Sequence, residues 1–93
     1  MQEAPIYRSA DLPGGSGRIV LYDWWTEPKY RFQNLICLDG ATIWKAELPE
    51  NTGPDCFVSF TLDSSKVHAN TWSGYRLSLD LKTGETLTCI FVK

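Results

Sequence analysis

Residues 66–87, KVHANTWSGYRLSLDLKTGETL, are the stretch that most restricts what this chain can become. Polar and apolar residues alternate there with a period of two, the mark of a half-buried strand rather than a helix. The alternation is cut at Ser73-Gly74 and again at Thr83-Gly84. Turns this tight return the chain antiparallel to itself, so the segment reads as three consecutive strands of a meander.

The same reading extends outward in both directions. Ala4 to Arg8 suits a short edge strand, since Pro5 is tolerated only at an edge or a strand start. Asp11 to Gly17 (DLPGGSG) is loop chemistry. A phosphate cradle would need a helix N-terminus after those glycines, but Arg18-Ile19-Val20-Leu21-Tyr22 follows, which is strand material. Arg18 to Trp25 lacks alternation over its apolar core, as expected of a strand buried on both faces. Thr26 to Lys29 makes a loop, and Arg31 to Leu38 resumes as a strand. There Phe32, Asn34, Ile36 and Leu38 point one way, and Gln33, Leu35 and Cys37 the other. Asp39-Gly40 signals a hairpin into Thr42 to Glu47, for which a short helix over Ala41 to Leu48 competes on propensity alone. Pro49 to Asp55 breaks the chain. Cys56 to Leu62 alternates again, with Val58, Phe60 and Leu62 against Phe57, Ser59 and Thr61. Lys66 to Trp72, Tyr75 to Leu81 and Thr86 to Val92 complete seven to eight short strands. The expectation is a single all-β domain over 1–93: a loosely ordered N-terminal segment (1–17) and two repeats (18–48 and 55–93), arranged as an antiparallel meander. A small closed barrel or sandwich is the alternative.

The two repeats fall into step when Leu38-Asp39 is set against Leu79-Asp80, about 41 residues apart. Each half has a strand ending in an aromatic (Trp24-Trp25, Trp72), a loop, a strand ending Leu-Asp, a Gly turn and a last strand. A period near 40 with four strands per unit is that of propeller blades. Tyr75 to Leu87 (YRLSLDLKTGETL) resembles the repeat of PQQ-dependent quinoproteins and their non-catalytic relatives. The first half, Asn34 to Trp44 (NLICLDGATIW), resembles it with a shortened turn. In the last strand Trp44 stands where the repeat carries a Trp; in the second half Leu87 stands there instead. What the resemblance implies is blade-like architecture. Two blades cannot enclose a cofactor, so PQQ, its calcium site and dehydrogenase activity do not follow, and no cofactor is expected.

Composition narrows the partners. The net charge is −2, with nine Lys and Arg scattered singly. A nucleic-acid interface wants a basic stripe and a membrane surface wants a polybasic cluster, so neither partner is expected. No apolar run exceeds four residues, far short of the roughly 20 that span a bilayer. The N-terminus shows no basic-then-apolar leader pattern. Three cysteines (Cys37, Cys56, Cys89) at wide spacing have no zinc-ligand pattern, and reduced, half-buried thiols in a cytoplasmic protein are the expectation.

Catalysis has little to stand on. His68 is the single histidine, and as a general base it needs a nucleophile and an orienting carboxylate beside it. On the strand reading it shares a solvated face with Lys66, Asn70 and Trp72, opposite Val67, Ala69 and Thr71. The five strand-end aspartates (Asp23, Asp39, Asp55, Asp63, Asp80) are where Asp belongs on backbone grounds, bonding nearby amides. The aromatic set is the better candidate, because strand-end aromatics serve sugars, peptides or partner proteins equally well. Trp24, Trp25, Trp72 and Tyr75, with Asn70 and Arg76 as polar neighbours, form the expected binding site. The functional expectation is a non-enzymatic β module for protein–protein interaction or self-association. The alternative is a carbohydrate- or small-ligand-binding module built on the Trp/Tyr cluster.

Overall fold

The computed structural model describes residues 6–13, 17–23, 32–50 and 53–92. They form eight strands: β1 (Ile6–Asp11), β2 (Arg18–Tyr22), β3 (Leu35–Asp39), β4 (Ala41–Lys45), β5 (Phe57–Leu62), β6 (Lys66–Thr71), β7 (Tyr75–Asp80) and β8 (Thr86–Phe91). Each sheet is a four-stranded antiparallel meander, β1-β2-β3-β4 and β5-β6-β7-β8. Neither sheet closes on itself, so the barrel alternative falls. Residues 41–45 are strand rather than helix, because pairing with β3 satisfies their backbone.

The two sheets are copies in detail. β3–β4 has its register shift between Cys37 and Leu38, and β7–β8 has one between Ser78 and Leu79, the matching place when Leu38-Asp39 is set on Leu79-Asp80. A second pair of shifts, Ile6/Arg8 and Phe57/Ser59, also falls at matching places. The latter corrects the alternation expected for β5: the bulge adds a residue, and Phe57 and Phe60 are both buried.

One hydrophobic core joins the sheets. Sheet 1 supplies Ile19, Leu21, Leu35, Cys37, Trp44, Ala46 and Leu48; sheet 2 supplies Phe57, Phe60, Val67, Ala69, Leu77, Leu79 and Leu81. The whole is a slab of 34 × 33 × 16 Å, a thickness suited to two sheets about 10 Å apart. The registers show how they stack. Val67 pairs Leu79 and Ala69 pairs Leu77 on the core side of sheet 2, whereas the matching pairs in sheet 1, Arg18–Leu38 and Val20–Ile36, lie on its outward side. The repeats therefore stack front to back. Val20 and Ile36 are buried even so, as the absence of alternation in β2 anticipates.

Three side chains fasten the sheets. Asn34, fully buried, donates from Nδ2 to the carbonyls of Tyr22 (2.9 Å) and Phe57 (2.8 Å) and accepts from the Phe57 amide (2.7 Å). Arg8 donates to the Phe60 carbonyl at 2.8 Å, with its guanidinium 4.9 Å from the centre of that ring. Trp44 donates from Nε1 to the Leu81 carbonyl at 3.1 Å. Its indole lies against Gly84 so closely that a Cβ there would stand 2.5 Å from the ring. Gly84 is held in place by an Asx turn, in which Asp80 Oδ1 accepts from the amides of Lys82 and Thr83 and Gly84 N–H donates to the Asp80 carbonyl.

Candidate interaction surface

Sheet edges expose unpaired backbone groups, and stable folds blunt them with charge, bulges or cover. Among the described residues, two of the four edges carry charge and a third is largely buried. β1 exposes Ile6 and Tyr7 but carries Arg8, which turns inward onto Phe60, and Asp11. β4 turns Trp44 into the core and leaves Lys45 outside, and β5 buries Phe57 and Phe60. β8 is different. All six of its residues are exposed, and from Thr86 to Val92 (TLTCIFV) there is no charge, proline or glycine. Leu87, Ile90, Phe91 and Val92 are 46–57% exposed. Side chains of both faces contribute, since Cys89 and Phe91 lie on the core side opposite Leu77 and Tyr75, while Thr88 and Ile90 lie on the outward side.

The direction of the backbone groups follows from the ladder. Val92 N–H donates to the Gly74 carbonyl at 2.9 Å. Antiparallel pairs alternate between bonded and non-bonded, so Ile90 and Thr88 bond to β7, and Cys89 and Phe91 direct their N–H and C=O groups away from the sheet. β8 thus presents a backbone template flanked by apolar side chains.

The expected aromatic platform is only partly gathered. Trp24 and Trp25 lie outside the described residues. Trp72 stands 44% exposed in the β6–β7 turn rather than at the end of a strand. Tyr75 is half-buried on the core side, its ring tilted against Phe91 with centroids 5.2 Å apart. Asn70 and Arg76 pair across β6 and β7 on the opposite, outward face, where Arg76 Nε donates to Asn70 Oδ1 at 3.2 Å and Asn70 Nδ2 donates to Ser59 Oγ at 2.9 Å. The sheet separates Tyr75 from the polar residues expected to assist it. The residues that sequence reasoning passed over are Leu87, Ile90, Phe91 and Val92; their signal was the uncharged run itself.

His68 has the company that the spacing did not announce. Its Nε2 lies 2.8 Å from Asp63 Oδ2 and its Nδ1 lies 3.1 Å from Ser78 Oγ. The carboxylate only accepts, so in the neutral ring Nε2 carries the hydrogen and Nδ1 accepts from the Ser78 hydroxyl. Nucleophile, base and carboxylate are therefore in line. Acyl transfer further needs a cleft with donors for an oxyanion. These three side chains stand on the outward face of sheet 2, and a hollow among the described residues lies across the molecule at Asp11, Gly17, Arg18, Leu38, Asp39 and Gly40. Asp63 Oδ1 also closes its turn, accepting from the amides of Ser65 and Lys66. The Ser65 amide and then the His68 side chain lower its carboxyl to about 2.

The cysteines are unbridged: Cys37 and Cys56 are buried, while Cys89 is exposed rather than half-buried. Burial, and then Asp55, push the Cys56 thiol up to about 11. Burial and then Asp39 raise that of Cys37, and burial raises that of Cys89. No group of metal-ligating side chains occurs among the described residues. Nor does any helix among them have the length and apolarity to cross a membrane.

The chain belongs to a family described as a domain of unknown function, DUF7957, whose family profile matches residues 16–91. That span takes in both repeats from β2 through β8. No curated protein and no solved structure matches the chain.

Proposed function

We propose that this domain is a non-enzymatic self-association module that adds β8 to a strand of another chain. The observation that carries the reading is the edge itself: six consecutive exposed strand residues, uncharged, with apolar side chains on both faces. An edge of this kind is a hazard in a monomer and an interface in an assembly. The likeness to quinoprotein repeats enters as architecture, supported by the front-to-back stacking of two four-stranded units. A reducing, cytoplasmic setting is supported by three unbridged thiols.

Light scattering coupled to size exclusion tests this. The expected mass is a multiple of 10.5 kDa, reverting to one chain in Cys89→Pro. That substitution deletes an amide that β7 does not use and sets a ring against any added strand. Leu87→Lys is the second variant, read alongside in case proline perturbs the fold. A wild-type monomer at about 100 µM overturns the proposal, since a nanomolar-to-micromolar complex is saturated there.

A further inference from the structure

We infer that the strand added to β8 is β8 of a second copy, running antiparallel about a two-fold axis at Cys89. This rests on the proposed self-association and gives it a partner and a register.

Only residues whose backbone groups face away from β7 can form bonded pairs across the new edge. Cys89 and Phe91 direct their backbone groups outward, as the Val92–Gly74 bond fixes. An isologous interface brings each residue opposite its mirror position about the axis. Centred on Cys89, the register sets Leu87 opposite Phe91 of the second copy and Thr88 opposite Ile90, the stretch of β8 on the C-terminal side of its bulge. Apolar residue meets apolar residue on the core-side face, and a β-branched pair meets on the outward face, the combinations that stabilise cross-strand neighbours. The pairing joins two four-stranded sheets into one of eight strands and covers the uncharged β8 edge.

Cys89 supplies the readout. In a bonded antiparallel pair the two Cα atoms lie about 5.5 Å apart, within the span a disulfide bridges. Diamide is the oxidant: the two thiols lose two protons and two electrons to its N=N bond, which becomes the hydrazine, and the S–S bond forms. Cys37 and Cys56 are buried and do not compete. Treated with diamide, the folded full-length protein is expected to link as a dimer through Cys89 and to lose the link in Cys89→Ser. For the register, Leu87→Cys and Phe91→Cys are each made in a Cys89→Ser background. Mixed, they link to each other and not to themselves.

The outcomes separate the two claims. An oligomer that Cys89→Pro dissociates, but that yields no Cys89 link and no Leu87–Phe91 link, overturns this pairing and leaves self-association through β8 standing. A monomer throughout overturns both. Self-links of Leu87→Cys that outrun the mixed link show another register, and the axis at Cys89 is then wrong.

Discussion

Trp44 is the residue on which the joining of the two repeats most depends. Its indole spans from sheet 1 to the Asp80–Gly84 turn of sheet 2, combining a hydrogen bond at 3.1 Å with contact against Gly84. Trp44→Ala removes the largest side chain in the core and orphans the Leu81 carbonyl, so a loss of about 3–5 kcal/mol is expected by denaturant titration. Gly84→Ala must push the ring aside and hold a left-handed φ of 75°, at a cost of about 2 kcal/mol. Because both changes act on one contact, the double variant should lose less than the two losses added. Full additivity would show that ring and turn are independent. Asp63 makes a different prediction. Its folded carboxyl titrates near 2 against about 3.9 unfolded. A depressed folded value means that the unfolded state takes up the proton first. Its contribution is complete above the unfolded value and is lost as the pH falls from about 4 to 2. Asp63→Asn should flatten the stability profile over that window.

At the scale of the strand, periodicity carried the reading wherever a strand's neighbour follows it in the chain. β6, β7 and β8 start where the alternation starts and end within a residue of it. It failed where a strand is shaped by something distant. β3 begins at Leu35 rather than Arg31, because Phe32 bridges to Cys56 and the Asn34 side chain bonds Phe57, a partner 23 residues on. β1 runs on to Asp11, through what reads as loop, because Asp11 pairs with Arg18. Nor does alternation reveal which strand is left at an edge, and for that reason the aromatics drew attention away from β8. The ladder makes its own test by amide hydrogen exchange. In a dilute sample Thr88, Ile90 and Val92 should be protected while Cys89 and Phe91 exchange freely. Raising the concentration should slow Cys89 and Phe91 selectively. If they are equally slow at every concentration, β8 is already covered within the chain.

For the whole molecule, front-to-back stacking raises the question of why two repeats do not become an endless column. A stack of like units has no built-in end, and terminal repeats need polar outer faces. Sheet 1 stops because Val20 and Ile36 on its outward side are already buried. Sheet 2 stops by chemistry: its outward face carries Ser59, His68, Asn70, Arg76 and Ser78, tied to one another and to Asp63. In this light the His68 constellation closes the stack, holding the polar groups so that an added sheet would have to break their bonds and leave them buried without partners. On the proposed pairing, growth is left to the β8 edge, where a two-fold partner would consume the edge and end the assembly at two. Replacing His68, Asn70 and Arg76 with valine, threonine and isoleucine, residues suited to strands, should therefore open a second direction of growth. Light scattering should show masses climbing with concentration past the dimer, and Cys89→Pro in the same background should shorten these species without abolishing them. If the triple variant stays the size of the wild type, the polar face is not what ends the stack.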